Sequence, residues 1–336
     1  MTSDRQLGAT VNVVPSAAAV VIGAGVSGLT SAVCLAEAGL AVRIWTAAPA
    51  GATTSAVAGA VWTPYRPGGD RGRVAEWSRV TLAELRALAA TPGAGVRLAT
   101  VRLASRVREE PPWWAELVPD LRRCSADELP AGYADGFRAT LPVADMPTYL
   151  GYLLARFEAA GGVVEERRVD RLADATAAAA LVVNCAGLAA RDLAADPTVR
   201  PIRGQVVVVA NPGLTDVFVA AAEGAAEITY LIPHRGRVVL GGTAEDGDWR
   251  LEPDPAAAGR IVERCAAIDH RLADATVLAH RVGLRPARPH VRLDTELLDG
   301  GTRIVHNYGH GGAGVTLSWG CAQEVTSIAL AKSSRS

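Results

Sequence analysis

Lysine is almost missing from this chain. Of its 34 basic residues, only Lys332, close to the carboxyl terminus, is a lysine. Chemistries that need a lysine inside the fold are therefore excluded, such as a Schiff base with a carbonyl substrate or the phosphate contact of a P-loop. Any cation that binds an anion inside a site must be an arginine.

Charge excess and paired cysteines are missing as well. The net charge is −1, which gives no electrostatic reason to expect nucleic acid or an anionic membrane as a partner. The five cysteines include no CxxC pair, which fits a reducing compartment where thiols pack as small hydrophobes. Residues 1–16 lack the pattern of a secretion signal, so we expect a cytoplasmic protein.

Length and composition favour two domains. The chain has 336 residues, which is longer than a single hydrophobic core typically supports. Hydrophobic residues make up 49% of it, enough for a large buried core. Near the start, residues 17–22 predict a buried strand, 27–38 a helix that ends at Gly39, and 41–46 a second strand. Together they form a βαβ unit of about 30 residues.

A glycine fingerprint lies between the first strand and the helix. Its GxGxxG pattern is formed by Gly23, Ala24, Gly25, Val26, Ser27 and Gly28. The glycines allow a tight turn, the approach of a pyrophosphate to the backbone, and close packing of helix on strand. The helix N-terminus adds free N–H groups. The pattern predicts a dinucleotide site but does not distinguish NAD from FAD.

The acidic residue that usually follows the second strand is missing. This carboxylate would bind the ribose hydroxyls of the dinucleotide, but the sequence here reads Trp45-Thr46-Ala47-Ala48. Thr46 and backbone groups are the candidates to replace it.

Seven further segments resemble the D-amino acid oxidase family, and they follow one another in the family's order. They are 53–65 (TTSAVAGAVWTPY), 183–187, 203–205, 230–233, 241–243, 281–289 and 306–316 (HNYGHGGAGVT). The last segment is the most specific of them. The chain is therefore identified as a member of this family.

The resemblance implies an α/β fold (α+β over its two domains). One would be a Rossmann-like FAD-binding domain, and the other a substrate-binding domain with a mixed sheet. The FAD-binding domain would comprise 17–65, 141–205 and 285–333, and the substrate-binding domain 66–140 and 206–284. Residues 1–16 would form an N-terminal extension. A homodimer is the assembly that we consider.

The resemblance also implies an activity. A D-amino acid, mainly a neutral one, would transfer a hydride from Cα to N5 of FAD. The products would be a 2-oxo acid and ammonia, with hydrogen peroxide formed from dioxygen.

The FAD contacts implied by the family extend beyond the fingerprint and Thr46. They are Thr53, Thr54, Ser55, Gly59, Ala60, Val61, Trp62, Val169, Cys185, Ala186, Gly187, Arg285, His310, Gly311, Gly312, Ala313, Gly314, Val315 and Thr316. The glycines among 309–314 would let the backbone press against a flat ring. Thr316 would open the closing helix with its hydroxyl facing the ring edge.

The substrate contacts come from four residues by the same resemblance. Arg285 and Tyr230 would bind the substrate carboxylate, since an arginine fork suits a carboxylate best. The carbonyl of Gly312 would accept a hydrogen bond from the amine, and Thr63 would reach the amine through water. Arg285, which stands before Pro286, is expected in a rigid loop. Tyr230, Arg285 and Gly312 would carry the catalysis.

The substrate and the type of reaction stay open at several points. Ala226 stands where the family often has a second tyrosine, which predicts a shortened or altered lid. Tyr65 stands where D-aspartate oxidases typically have histidine, which favours neutral substrates, although Arg66 keeps that rival open. A glycine or sarcosine oxidase, an NAD(P)-dependent dehydrogenase and a flavoprotein without turnover are further rivals. His306 and His310 have no third ligand nearby, so no metal is expected.

Overall fold

The structure is a computed structural model that describes residues 18–65, 68–220, 227–299 and 301–331. The N-terminal extension 1–16, Arg66, the lid position Ala226 and Lys332 lie outside the described residues. Across those residues one hydrogen-bonded strand path runs in the order β4-β5-β3-β9-β10-β11-β8-β13-β14-β7-β1-β2-β6, with β12 paired to β8. The strands are β1 (Ala19–Ile22), β2 (Val42–Thr46), β3 (Val96–Ser105), β4 (Arg122–Arg123), β5 (Asp135–Ala144), β6 (Val163–Glu166), β7 (Leu181–Asn184), β8 (Arg200–Ala210), β9 (Val217–Ala220), β10 (Glu227–Pro233), β11 (Arg237–Thr243), β12 (Glu245–Asp246), β13 (Val277–Leu297) and β14 (Arg303–His310).

Helices cover the strands and carry the same alanine and leucine bias as the sequence. They are α1 (Val26–Glu37), α2 (Arg71–Leu88), α3 (Met146–Ala159), α4 (Leu172–Thr176), α5 (Ala190–Leu193), α6 (Pro255–Ala266) and α7 (Gly314–Leu330). No helix of the described part is both long and apolar enough to cross a bilayer.

Five parallel strands form the nucleotide-binding half. β1 pairs in parallel with β2 and β7, β2 with β6, and β7 with β14. β1 reads AVVI and is buried along its whole length, as expected of a strand covered on both faces. Its side chains alternate between two apolar clusters, Ala19 and Val21 on the face of α1, Val20 and Ile22 on the opposite face. The predicted βαβ unit is confirmed within a residue or two.

Two long antiparallel strands join this half to the rest of the sheet. β13 is 21 residues long; its first part pairs with β8 and its second part with β14. Beyond β8, the antiparallel β10–β11 pair leads to β9 and to the β3–β5 pair. The predicted α/β fold class with a mixed sheet is confirmed, while the domain boundaries given above stay a prediction.

Candidate active site

A cavity of about 580 Å³ opens where the parallel strands end. In the sheet order it extends from β9 and β10, which contribute Val219 and Tyr230, to the ends of β2 and β6, which contribute Trp45 and Arg167. The charged side chains among its described lining residues are Arg167, Arg168 and Arg285, and no aspartate or glutamate is among them. The cavity therefore offers hydrogen-bond donors and positive charge, which suits a ligand with anionic groups.

The fingerprint turn lies against the wall formed by β7. Gly23 has φ +103°, and a Cβ atom there would lie 2.6 Å from the carbonyl oxygen of Cys185. α1 starts after Gly25, and its first N–H, that of Val26, donates to the Ser55 hydroxyl at 3.0 Å. Helix N-terminus, turn and Ser55 thus face one space, as a pyrophosphate site requires.

The loop before α7 forms a second wall. Gly309 and Gly311 have φ of +81° and +56°, a region that favours glycine. The N–H of Gly311 donates to the carbonyl of Pro286 at 2.8 Å, which holds the loop against β13. The first N–H groups of α7 have no intrahelical partner, so this helix end also brings positive potential to the cavity.

Thr316 differs from its sequence-based expectation. It lines the cavity near the start of α7, but its hydroxyl donates to the backbone carbonyl of Thr63 at 2.9 Å. The hydroxyl therefore joins α7 to the 53–65 segment rather than facing a ring edge, while the helix N-terminus alone supplies the positive potential.

A buried carboxylate anchors the same loop from behind. Asp196 accepts hydrogen bonds from the Tyr308 hydroxyl at 3.0 Å and from Arg288 Nε at 2.7 Å. Burial alone would raise the pKa of the Asp196 carboxyl, but hydrogen bonds from Thr198, Arg288 and Tyr308 outweigh it and lower the pKa to about 2. Arg288 also packs on Gly309, where a Cβ atom would lie 2.8 Å from its Cβ. Arg288 therefore has a structural role in holding this loop.

A network of neutral polar side chains leads from the cavity wall to α1. His310 and Asn307 are 3.0 Å apart, and Asn307 donates to the Ser31 hydroxyl at 3.1 Å. Burial lowers the pKa of His310 to about 4, so the ring is neutral near pH 7. This hydrogen-bonded network therefore connects the α7 loop to α1 without adding charge.

The other histidine lies close to an amide and a carboxylate. His306 Nδ1 lies 3.3 Å from Asn184 Nδ2, and its Nε2 lies 3.1 Å from Glu296. No group of three or more metal-ligating side chains occurs in the described ranges.

Arg285 and Tyr230 meet at the far side of the cavity because glycines leave room for them. A Cβ atom at Gly204 would lie 2.4 Å from the Arg285 guanidinium, and one at Gly241 would lie 1.7 Å from Tyr230 Cζ. Burial raises the pKa of the Tyr230 phenol, and the Arg285 charge acts in the opposite direction. The two side chains are therefore close neighbours fixed by backbone.

Arg285 does not lie in a loop, as its sequence context suggested. It belongs to β13, where it pairs with Ile202 of β8, and the register continues without a break to the Pro286–Pro201 pair. Its guanidinium donates to the Thr243 carbonyl at 3.1 Å, and none of the ion pairs among the described residues includes it. Most of its donor capacity therefore faces the cavity.

Apolar side chains surround this pair. Val219, Ile228 and Ile232 line the cavity from β9 and β10. Tyr65 packs against Gly312, where a Cβ atom would lie 2.3 Å from the tyrosine Cδ1. The space beside Arg285 thus has apolar and aromatic walls.

Most residues predicted from the sequence line this one cavity. They are Gly23, Ala24, Gly25, Val26, Ser27, Thr46, Thr53, Thr54, Ser55, Gly59, Ala60, Val61, Thr63, Val169, Cys185, Ala186, Gly187, Tyr230, Arg285, His310, Gly311, Gly312, Gly314, Val315 and Thr316.

Three predicted cofactor contacts lie behind the lining. A Cβ atom at Gly28 would come within 1.9 Å of the Gly23 carbonyl, so this glycine serves helix packing. Trp62 is fully buried, donates to the Ser78 carbonyl at 3.2 Å and packs edge-on against Trp114. Ala313 is fully buried as the residue before α7.

The cavity also has lining residues that the sequence did not predict. Two of them are Trp45 and Arg167. The sequence does not show that β6 lies beside β2, so it could not predict that Arg167, just after β6, reaches the cavity next to Trp45. Asn307 and Tyr308 lie inside the 306–316 segment, but the resemblance gave them no role.

Comparisons with known proteins agree with this site. The family model described as FAD dependent oxidoreductase, DAO, matches residues 18–328. The chain belongs to the DAO family. Its glycine turn, two helix N-termini and donor-rich lining fit FAD, which is the cofactor of this family.

Curated relatives align with almost all of this chain. It is 54% identical to a D-amino-acid oxidase of Rubrobacter xylanophilus, over 93% of this chain and 96% of the relative. It is 52% identical to a D-amino-acid oxidase of Streptomyces coelicolor, over 92% and 96%. The glycine oxidase structure from Geobacillus kaustophilus superposes with a TM-score of 0.78 at 19% identity, over 95% and 96%, which shows the shared fold.

Proposed function

We propose that this chain is an oxidase of neutral D-amino acids, with Arg285 and Tyr230 as its substrate-carboxylate site. One observation carries the proposal: an arginine without an ion-pair partner in the described residues lies beside a buried tyrosine in the cofactor cavity. A partly buried guanidinium with free donors is a site for a carboxylate.

The reaction needs orientation more than acid–base help. FAD, when bound, supplies the acceptor for the hydride that leaves Cα. Arg285 binds the carboxylate, the Tyr230 hydroxyl donates to the same group, and the Gly312 carbonyl accepts a hydrogen bond from the amine. No described carboxylate lines the cavity and His310 is neutral, so the ammonium proton passes to water. Fixing two groups on Cα is the main catalytic contribution.

Handedness follows from the same contacts. When the carboxylate and the amine of the substrate are both held, only one enantiomer directs its α-hydrogen to the acceptor and its side chain to the open space. The imino acid then hydrolyses to a 2-oxo acid and ammonia, and dioxygen is reduced to hydrogen peroxide.

The side-chain space favours neutral substrates. Val219, Ile228 and Ile232 offer no partner to a second carboxylate, and burying an unpaired charge there would be costly. D-Aspartate is therefore expected to be a poor substrate compared with D-alanine.

A peroxide assay tests the proposal. The FAD-loaded protein is given D-alanine, L-alanine, D-aspartate and glycine, and we expect most peroxide with D-alanine and none with L-alanine. Arg285→Ala should retain FAD and lose at least about 100-fold in kcat/KM, since a charged bidentate contact disappears. Arg281→Ala, on the same strand but outside the cavity lining, is the control. Peroxide from L-alanine, or unchanged turnover in Arg285→Ala, would overturn the assignment.

A homodimer and a cytoplasmic location belong to the same proposal and rest on the sequence alone. Size-exclusion chromatography with light scattering decides between monomer and dimer.

A further inference from the structure

The adenosine side of the cofactor cavity is built without an acid. In related dinucleotide folds, a carboxylate after the second strand accepts hydrogen bonds from the ribose hydroxyls. Here the lining at the end of β2 is Trp45, Thr46, Ala47 and Ala48. The Thr46 hydroxyl donates to the Ala48 carbonyl at 2.7 Å, so it already takes part in a local turn. Another group must hold this half of FAD.

Trp45 contributes a buried donor that the protein itself does not use. The side chain is 2% exposed and lines the cavity. Its Nε1–H is buried and has no hydrogen-bond partner among the described residues. Buried polar groups in folded proteins are nearly always paired, and an exception at a cofactor cavity points to the ligand as the partner.

Arg167 covers the same indole from the neighbouring strand. The register of β2 and β6 pairs Trp45 with Glu165, and the Arg167 N–H donates to the Thr46 carbonyl at 2.8 Å. Side chains two residues apart share a face of a strand, so Arg167 lies on the Trp45 side. Its guanidinium carbon is 3.7 Å from the centre of the indole ring.

Neighbouring arginines are engaged elsewhere. Arg43 pairs with Glu165 at 3.0 Å and Arg168 with Asp170 at 2.9 Å. None of the ion pairs between described residues includes Arg167, which lines the cavity. An arginine stacked on an aromatic face keeps its edge N–H groups available for acceptors.

We infer that Trp45 and Arg167 together hold the adenosine half of FAD and replace the missing acid. The N–H groups of Trp45 and Arg167 would donate to oxygen and nitrogen acceptors of the ribose and adenine. A carboxylate would instead have accepted hydrogen bonds from the ribose hydroxyls. The inference rests on FAD binding alone and not on the choice of amino acid substrate.

Cofactor titration of the full-length apoprotein tests this role without any substrate. The dissociation constants of FAD and of FMN, which lacks the adenosine half, are measured by quenching of flavin fluorescence. Arg167→Ala should weaken FAD binding about tenfold and leave FMN binding unchanged. Trp45→Phe keeps an aromatic face but removes the N–H, and should also weaken FAD selectively.

Arg171→Ala is the matched control. Arg171 is exposed, follows closely on the same segment, pairs with Asp174 and lies outside the cavity lining, so its loss should change neither constant. The melting temperature of each apoprotein shows whether Trp45→Phe remains folded. If that variant unfolds, Arg167→Ala alone still tests whether the pair binds the adenosine half of FAD. Unchanged FAD affinity in Arg167→Ala, or an equal loss for FAD and FMN, would overturn the inference. Failure to oxidise D-alanine would overturn the proposed function and leave this result intact.

Discussion

The two sides of the cofactor cavity are built in different ways. On the substrate side, Tyr230 and Arg285 lie in spaces that exist because Gly241 and Gly204 have no side chain. On the adenosine side, Arg167 rests on the Trp45 ring near the surface, without such a slot. The first side is defined by backbone and the second by the stacking of two side chains.

This difference predicts how each side of the cavity responds to substitutions. A side chain confined by backbone on several sides cannot adjust without moving strands, because packed interiors leave little free volume. A stacked, partly exposed arginine can be replaced at the cost of its own contact only. We therefore expect large effects on turnover from the substrate side and graded effects on cofactor affinity from the adenosine side.

Gly241→Ala should break the substrate side with the largest effect. The new Cβ would lie 1.7 Å from Tyr230 Cζ, so the ring must move. A displacement of about 1 Å at a reacting centre costs on the order of 100-fold, and we expect that loss in kcat/KM with D-alanine. FAD affinity should stay within about twofold of the parent. Steady-state kinetics and flavin titration measure the two quantities.

Gly236→Ala is the control for this prediction. A Cβ at Gly236 would meet no atom within 4 Å, and the residue is exposed between β10 and β11. Its kinetics should equal those of the parent. Equal kinetics in Gly241→Ala would show that the glycine slot does not position Tyr230.

Asp196→Asn tests the carboxylate that anchors the loop before α7 through Tyr308 and Arg288. The pKa of the carboxyl is lowered from 3.8 to about 2, so its charged form contributes about 2 kcal/mol to the free energy of unfolding at pH 7. Because the folded pKa is depressed, this contribution is complete above about pH 5 and decreases as the pH falls toward 2.

Urea unfolding at several pH values checks this prediction. The difference in unfolding free energy between the parent and Asp196→Asn should decrease by about 1 kcal/mol from pH 5 to pH 3. A difference that does not change with pH would contradict the proposed ionisation of Asp196.

Thr316→Val should have the smallest effect. It removes the hydroxyl that donates to the Thr63 carbonyl at 2.9 Å, at a cost of about 1 kcal/mol and a decrease of about 1–2 °C in Tm. Thr326→Val is the comparison, because that hydroxyl donates to the Ala322 carbonyl within its own helix and its loss should be nearly neutral. Calorimetry that finds equal Tm values for both variants would remove Thr316 as a link between α7 and the 53–65 segment.

The sequence predicted the parts of the site that depend on local pattern. The glycine turn at Gly23 and Gly25 follows an apolar strand and opens a helix, and this order defines its conformation. Family resemblance then placed Tyr230 and Arg285 together, although 55 positions separate them in the printed sequence.

The remaining parts depend on pairing that no local pattern encodes. β13 contains Gly283, Pro286 and Pro289, which favour a loop, yet its pairing with β8 and β14 overrides that preference. The stack of Arg167 on Trp45 depends on the register of β2 and β6. The segment around Trp62 suggests a cofactor contact, whereas the indole packs against Trp114.

Flavin absorbance under exclusion of oxygen tests the central claim most directly. When D-alanine is added to the FAD-loaded protein, the visible flavin band should disappear, and L-alanine should leave it unchanged. In Arg285→Ala the band should be present at the start and persist for at least about 100 times longer. Equal bleaching by both enantiomers, or equally fast bleaching in Arg285→Ala, would contradict a substrate carboxylate held by Arg285.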